Sequence, residues 1–280
     1  MTLPLEDSKP LREFISKACA IQLGEEKVYL LKNRLSKVCQ EFGIRDLNEF
    51  YKKVTEDKSG KLRDRLIDAI TTNETLWFRD ERLWNAIKEN ILPEIAKRAA
   101  EKGREKIRIW SAACSTGQEP YSLSMLIDSY CRLIPGVHVN PNNFEILATD
   151  ISQGILAAAQ LGEYNNLEMS RGLPPAFKKR YFAPYNTVWR IVPDIRTRVQ
   201  FKHFNLQDPF ANLGRFDLIL CRNVAIYFSE EFKRNLFDRM SKSLQDQGVL
   251  ILGSSESILG YSDKFDMKEA CNAIYYRLKG

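Results

Sequence analysis

Residues 107–123 read IRIWSAACSTGQEPYSL, and this stretch decides the fold. The apolar run Ile107–Trp110 predicts a strand. The small residues of Ser111–Gly117 would let a ligand approach the backbone closely, and Glu119 stands at the start of the next predicted helix, Tyr121–Cys131. A strand, a turn of small residues and a helix in this order are typical of a doubly wound sheet, in which ligands bind beyond the carboxyl ends of the strands.

The chain beyond this stretch repeats the alternation of short apolar runs and helices. A helix predicted over Glu230–Leu244 follows the N-cap residue Ser229 and should stop at Gly248. Residues 180–202 differ, because their tyrosines, Trp189 and prolines favour an inserted antiparallel hairpin. The pattern as a whole predicts a mostly parallel sheet covered by helices on both faces. Its further strands are predicted at Phe144–Ala148, Val199–Phe204, Phe216–Cys221, Val249–Gly253 and Ile274–Leu278.

The part of the chain that precedes this sheet has the periodicity of helices. Its clearest apolar stripe recurs every three or four residues, at Val28, Leu31, Leu35, Val38 and Phe42. The charged stretch from 88 to 106 predicts a connecting helix that ends near Gly103. We therefore expect a helical domain over 1–80, a linker helix over 81–105 and an α/β domain over 106–280, with the hairpin inserted at about 172–200.

Composition and residue types exclude several classes of protein. No apolar run reaches the roughly 20 residues that span a bilayer, and the acidic start of the chain lacks a signal pattern. We therefore expect a cytoplasmic protein without membrane insertion. The six cysteines are scattered without a CxxC pair, which favours buried thiols in a reducing compartment. His138 and His203 have no Cys or His neighbour at ligand spacing, so no metal site is predicted and a histidine-dependent hydrolase is disfavoured.

The net charge of +6 is concentrated in the stretch Arg171–Lys202, where eight basic residues face a single acid, Asp194. One interpretation is a solvated basic face, and the other is a binding surface for an acidic partner. The same stretch motivates the alternative hypothesis of a nucleic-acid methyltransferase, whose binding would weaken steeply with salt.

Three predicted strand ends carry residues suited to a nucleoside. The turn Ser111–Gly117 follows the first strand, Asp150 ends the second and can accept hydrogen bonds from ribose hydroxyls, and Cys221–Val224 ends the fourth. The turn is neither a GxGxxG nor a GxxxxGK[ST] motif, which disfavours dinucleotide enzymes and P-loop NTPases. A short turn with an acid after strand two suits a cofactor without a pyrophosphate, and S-adenosylmethionine is the leading candidate.

Several motifs, in the same order along the chain, resemble those of the CheR family of chemotaxis receptor methyltransferases, which are protein-glutamate O-methyltransferases. They are TTNETLWFR (71–79), WSAACSTGQEPYS (110–122), ATDI (148–151), FNL (204–206) and LCRNVAIYF (220–228). The resemblance implies an α/β fold: a class I, Rossmann-like S-adenosylmethionine-dependent methyltransferase domain with an inserted small antiparallel β-subdomain, preceded by a small all-α domain. It covers nearly the whole chain.

The resemblance also implies which residues contact the cofactor. Without it, Asn73 and Thr75 would be interpreted as helix-capping residues and Asn205 as part of a turn before Asp208. By motif position, the contacts from the linker side would be Asn73, Thr75 and Arg79, and those from the sheet side Glu119, Asp150, Asn205, Leu206, Asn223 and Val224, to which we add Ala113 in the turn after the first strand.

By the same resemblance, the reaction would be methylation of glutamate side chains on the helical cytoplasmic bundles of chemoreceptors. A carboxylate is ionised at neutral pH, so the transfer needs neither a metal nor a general base. We expect Arg79 to position the reacting groups and Tyr227 to orient the methyl group or the carboxylate, although Tyr227 could simply pack. Because Ala183–Ile195 contains no glycine, unlike the longer loops of members that dock a receptor peptide, we expect docking without a peptide. A non-catalytic S-adenosylmethionine sensor is the remaining alternative.

Overall fold

The computed structural model describes residues 8–133 and 139–280, so His138 and the first seven residues lie outside the description. From residue 8 onward, the described part of the helical domain has four α-helices that pack around one apolar core. Gly43, with φ +61°, ends the second helix, and the Asp46 side chain caps the third by accepting a hydrogen bond from the Glu49 amide at 2.8 Å. These helices are α1 (Lys9–Cys19), α2 (Val28–Phe42), α3 (Leu47–Glu56) and α4 (Lys61–Ile70). The predicted stripe of α2 is its buried face.

The segment expected to be a linker helix packs on the sheet of the second domain. It consists of α5 (Glu81–Ala86), a π-helical turn (Ile87–Ile91) and α6 (Leu92–Glu101). Pro93 lacks an amide N–H, so a regular α-helix could not continue through it with all its hydrogen bonds made. The buried residues of this run, among them Trp84, belong to the same core as strand residues of the sheet.

The second domain is built on a seven-stranded sheet in the order β6-β2-β1-β7-β8-β10-β9, in which β10 runs antiparallel to the other six strands. Its strands are β1 (Ile107–Ala112), β2 (Phe144–Asp150), β6 (Val199–His203), β7 (Phe216–Cys221), β8 (Leu244–Leu252), β9 (Phe265–Ala270) and β10 (Ala273–Leu278). The main covering helices are α7 (Gln118–Leu133), α8 (Gln153–Leu161) and α12 (Glu230–Lys242). This mixed α/β architecture confirms the predicted fold class.

Two details of the sheet differ from the sequence prediction. Helix α12 begins after Ser229, as expected, but β8 starts at Leu244, so Gly248 lies inside the strand and does not end the helix. Strand β9 was not predicted, because its sequence FDMKEA is mostly exposed at the sheet edge and has no apolar alternation.

The inserted subdomain is a three-stranded antiparallel sheet in the order β3-β5-β4. Its strands are β3 (Glu163–Tyr164), β4 (Phe182–Tyr185) and β5 (Val188–Ile191), and the short helices α9 (Asn166–Ser170), α10 (Pro175–Tyr181) and α11 (Pro193–Arg196) flank them. A two-residue turn joins β4 and β5, with Asn186 at φ +52°, which asparagine tolerates better than most residues. The subdomain uses residues from 163 onward, before the predicted start at about 172, because a two-residue strand leaves no periodic signal.

The topology creates a place for a ligand at the carboxyl ends of the central strands of the large sheet. Strands β1, β2 and β7 run parallel, so their carboxyl ends lie together, and the strand order reverses between β1 and β7. Across the described residues, 8–133 and 139–280, no helix has the length and apolarity that crossing a bilayer requires.

Candidate active site

A cleft opens at the carboxyl ends of β1, β2 and β7, under the segment that joins the two domains. Both domains line it: Cys19 and Ile21 come from the helical domain, and Phe204 and Phe228 from the sheet side. Every residue proposed from the sequence as a site residue is at this cleft: Asn73, Thr75, Arg79, Ala113, Glu119, Asp150, Asn205, Leu206, Asn223, Val224 and Tyr227. Residues distant in sequence are thus brought together at one surface.

The loop after β1 is held in an unusual backbone conformation. Ala113, Ser115 and Gly117 all have positive φ angles, of 59°, 51° and 91°. Hydrogen bonds fix this shape, because the Cys114 amide donates to the Thr149 carbonyl at 2.9 Å and the Ser115 amide to Asp150 Oδ2 at 2.9 Å. The small side chains of Ala113 and Ser115 leave the backbone at the cleft open to a ligand.

Asp150 lies at the base of the cleft with only 6% of its surface exposed. Its Oδ1 accepts the Ser152 amide at 3.0 Å and its Oδ2 the Ser115 amide. Burial raises the pKa of this carboxyl, and the backbone hydrogen bonds oppose that rise. Each carboxylate oxygen has a further lone pair, so Asp150 can still accept hydrogen bonds from a pair of hydroxyls.

The segment Thr71–Asp80, called the strip below, closes the cleft from the side opposite the sheet. Ser115 Oγ donates to the Asn73 carbonyl at 2.9 Å, which ties the strip to the loop after β1. Trp77 is fully buried between Tyr164 and Phe182, and its amide donates to the Arg171 carbonyl at 3.1 Å. The strip is therefore anchored to the inserted subdomain as well as to the sheet.

The backbone of Arg79 is held by hydrogen bonds, whereas its guanidinium makes no contact of this kind in the described chain. Its carbonyl accepts hydrogen bonds from Trp84 Nε1 and from Arg222 Nη2, both at 2.9 Å. Within the chain as described, its guanidinium has no ion-pair or hydrogen-bond partner, although it lines the cleft. A guanidinium held at a cleft in this way is suited to attract a carboxylate.

Sequence reasoning missed Arg222, the buried charge at the centre of the site. Its side chain is 2% exposed and bonds Asp80 Oδ2 at 2.5 Å and Glu119 Oε2 at 2.9 Å. The other Glu119 oxygen accepts a hydrogen bond from Ser111 Oγ at 2.8 Å. Arg222 thus joins the strip to the first helix of the sheet domain. An arginine directly after an apolar strand was the available signal, since a buried charge needs partners.

Asn205 and Tyr227 connect the two domains as well as line the cleft. Asn205 Nδ2 donates to the Ala18 carbonyl at 2.8 Å, and its Oδ1 accepts the Gln207 amide at 3.0 Å. The side-chain amide of Asn205 is thus engaged in a turn and a domain contact. The Tyr227 carbonyl accepts the Gln22 amide at 2.8 Å, which leaves the phenol ring at the cleft.

The thiols at the cleft are not poised as nucleophiles, and its carboxylates are engaged in hydrogen bonds or ion pairs. Burial raises the pKa of Cys19 to about 11, and that of Cys114 well above its usual value. Glu119 and Asp150 are hydrogen-bonded as described, and Glu74 pairs with Arg171 at 2.8 Å. No histidine or lysine is found among the described residues that line the cleft.

The cleft fits S-adenosylmethionine. Asp150 offers acceptors for ribose hydroxyls, and the positive-φ loop at Ala113 admits the cofactor close to the backbone. Asp150 places a carboxylate at the cleft, whereas the charge of Glu119 is paired with that of Arg222. When bound, S-adenosylmethionine supplies an electrophilic methyl group on its sulfonium sulfur.

The basic stretch Arg171–Lys202 is paired with acids at some of its positions. Besides Arg171, Arg190 pairs with Glu163, and Arg198 lies 3.9 Å from Asp128. Lys178 lies 4.0 Å above the Trp189 ring. Part of the positive charge in this stretch is therefore used in contacts within the chain.

Comparison with known proteins identifies the family. The family described as "CheR methyltransferase, SAM binding domain" matches residues 73–274, and "CheR methyltransferase, all-alpha domain" matches residues 6–71. Chemotaxis protein methyltransferase 1 of Pseudomonas aeruginosa is 44% identical, and chemotaxis protein methyltransferase Cher2 of Pseudomonas putida is 41% identical, each over 98% of this chain and 98% of the relative. Chemotaxis protein methyltransferase 1 of Vibrio cholerae is 38% identical over 100% of this chain and 99% of its own.

These matches confirm the resemblance seen in the motifs and the cofactor expected from them. They extend over both domains and nearly the full length of the relatives. The chain therefore belongs to the CheR family of S-adenosylmethionine-dependent chemotaxis protein methyltransferases.

Proposed function

We propose that this methyltransferase transfers the methyl group to glutamate side-chain carboxylates on the cytoplasmic helical bundles of chemoreceptors. The observation that carries the proposal is the pairing of an unengaged arginine, Arg79, with a cleft that lacks an available base among the described residues. Such a cleft suits an acceptor that is already an anion at neutral pH. An alcohol or a protonated amine would first have to lose a proton.

The residues of the chain would act by alignment and by exclusion of water. A carboxylate oxygen of the acceptor forms the bond to the methyl carbon as the carbon–sulfur bond breaks and the sulfur keeps the electron pair. Because an anion and a cation become two neutral products, a dry cleft favours the transition state. The strip would close the cleft, Arg79 would draw in the carboxylate, and Tyr227 would orient it.

The cofactor contacts are part of the same proposal. Asp150 would bind the ribose, Glu119 the methionine part, and Asn223 and Val224 the nucleoside from the loop after β7. Asn73 and Thr75 of the strip, Ala113 of the loop after β1 and Leu206 of the segment after β6 would also contact the cofactor. For Asn205 we propose a contact through its backbone or its aliphatic part, since its amide is engaged with Ala18 and Gln207.

For the partner we propose an acidic helical bundle that docks without a tethering peptide. Strands β4 and β5 are joined by only two residues, Asn186 and Thr187, so no long loop is available to enclose a peptide. Isothermal titration calorimetry with a peptide from a receptor's C-terminus, compared with the bundle, tests this point. Peptide binding as tight as bundle binding would contradict it.

The experiment that tests the function uses methyl-labelled S-adenosylmethionine and purified receptor cytoplasmic fragments. We expect the fragment to become labelled, and we expect mild base to release that label as methanol, because glutamate methyl esters are base-labile. Label that survives base, or labelling of added DNA or RNA in place of the receptor, would overturn the proposal and favour the nucleic-acid alternative. Cofactor binding without any transfer would favour a sensor.

A further inference from the structure

We propose that Glu256 is a positioning residue for methyl transfer, acting through the loop that follows β7. Glu256 lies after β8, outside every motif that indicated the family, and it is half-buried. Its carboxylate accepts hydrogen bonds from four backbone amides on two loops. The inference rests on the proposed roles of Asn223, Val224 and Tyr227 in that loop.

The geometry of these four bonds is that of a clamp. Oε2 accepts the amides of Asn223 at 2.6 Å and Gly253 at 2.7 Å. Oε1 accepts those of Val224 at 3.1 Å and Ile226 at 3.2 Å. Because three of these donors belong to the loop after β7, a single carboxylate fixes the backbone from Asn223 to Ile226.

This loop needs an external anchor. Asn223 has a φ of +57°, a conformation that an L-residue adopts at some cost, and Ala225–Tyr227 is a single 3₁₀ turn whose first amides have no partner within the turn. Glu256 supplies such an anchor, since it binds the amide of Asn223 and, at the turn, the amides of Val224 and Ile226. The Tyr227 ring follows directly on the clamped backbone.

Gly253 shows how closely the two loops approach each other. A Cβ at this position would lie 2.6 Å from Asn223 Nδ2 and 2.7 Å from Glu256 Oε2. The glycine therefore leaves room for both side chains, and the positions of Asn223 and Glu256 are coupled. A shift of the carboxylate would move the residues proposed to hold the nucleoside and to orient the acceptor.

The variant that tests the clamp is Glu256→Gln. Glutamine keeps the shape of the side chain, but its NH₂ group faces two N–H donors and can serve neither. At least two of the four bonds are lost whichever way the amide is oriented. The matched control is Glu269→Gln, at an exposed position on β9.

We expect Glu256→Gln to weaken S-adenosylhomocysteine binding in calorimetry by at least about tenfold, as for the loss of a charge-assisted hydrogen bond. We also expect a lower kcat on receptor fragments at saturating cofactor, while circular dichroism shows a folded protein and Glu269→Gln behaves as wild type. A folded Glu256→Gln protein with wild-type affinity and kcat would overturn the proposal. So would loss of folding in Glu256→Gln, which would make Glu256 a stability element.

The experiments distinguish an error in the proposed acceptor from an error in the proposed role of Glu256. If wild-type protein does not methylate the receptor fragment, the proposed acceptor is wrong, yet the calorimetric comparison of Glu256→Gln with wild type still decides whether Glu256 positions the cofactor loop.

Discussion

At the scale of single residues, Arg79 combines a fixed backbone with an unengaged side chain. Truncation by Arg79→Ala should leave the strip in place, because Trp84 and Arg222 hold the Arg79 carbonyl. We expect kcat/KM for receptor methylation to fall by about 10- to 100-fold, the equivalent of about 1.5–3 kcal/mol for a hydrogen bond to a charged group. Initial rates with labelled cofactor measure the effect, and thermal unfolding checks the fold.

Arg82→Ala provides the control, since Arg82 is an exposed arginine three residues further on. It should leave the rate unchanged. Near-normal transfer by Arg79→Ala, or an equal loss in Arg82→Ala, would remove Arg79 from the reaction.

The raised pKa of Asp150 leads us to expect that cofactor binding depends on pH. Burial raises the pKa of Asp150 above the ordinary value of about 3.9. Above that raised pKa, the buried charged carboxylate therefore lowers the free energy of unfolding of the free protein. That cost is relieved as the pH falls through the raised pKa, where the carboxyl takes up a proton. A protonated Asp150 loses charge and acceptor capacity, so affinity for S-adenosylhomocysteine should fall over this same range.

Calorimetry between neutral and mildly acidic pH measures that fall. Asp150→Asn, which cannot titrate, should bind more weakly at neutral pH and show a flatter profile. A wild-type affinity that stays constant until the fold is lost would contradict the assignment of Asp150 to the ribose.

The sequence identified site residues only where a motif or a strand end marked them. Asp150 and Asn223 follow apolar strands, so their position at the sheet edge could be predicted. The ion pairs of Arg222 with Asp80 and Glu119 join residues more than a hundred positions apart, and no periodicity reports such contacts. For Asn205, the domain contact to Ala18 is equally invisible in one sequence.

At the scale of elements, the strip depends on close approach to the inserted subdomain. Gly172 has a φ of +87°, and a Cβ there would lie 2.2 Å from the Trp77 carbonyl oxygen. Gly172→Ala should therefore reduce the free energy of unfolding by about 2–5 kcal/mol, from the left-handed backbone and the steric conflict together. Displacement of the strip should also weaken cofactor binding. Urea unfolding and calorimetry measure the two effects.

Gly60→Ala is the control that separates the effect of backbone strain from the effect of the steric conflict with Trp77. Gly60 has a φ of +73° with no atom within 4 Å of an added Cβ, so only the strain of about 1–2 kcal/mol applies there. Equal losses in the two variants, with unchanged cofactor affinity in Gly172→Ala, would mean that the strip does not depend on Gly172.

Elements with strong periodicity were predictable, and short or exposed ones were not. The stripe of α2 and the buried strands β1 and β7 have the apolar spacing that burial imposes. Strand β3 has two residues, and β9 is exposed along most of its length, so neither carries such a pattern. The run of helices after the strip was predicted, but its packing on the sheet depends on tertiary contacts.

At the scale of the molecule, one cleft is shared by two domains. Ile21 pairs with Phe228 as an isolated antiparallel bridge, and Ser152 Oγ donates to Asp68 Oδ1 at 2.6 Å. The cleft is lined by Cys19 and Ile21 on one side and by Asp150 on the other. A ligand that fills it contacts both domains and should stabilise both.

Saturating S-adenosylhomocysteine should therefore slow amide hydrogen exchange in the helical domain as well as in the sheet. At a free concentration of 100 times Kd, mass action adds about 2.7 kcal/mol to the stability of every part that unfolds with the site. We expect protection near Cys19 and Ile21 to rise together with protection in β1 and β2. Asp150→Asn at the same ligand concentration should show little gain in either domain. Protection confined to residues 107–280 would mean that the helical domain opens independently, and the strip would then close the cleft without help from the helices before it.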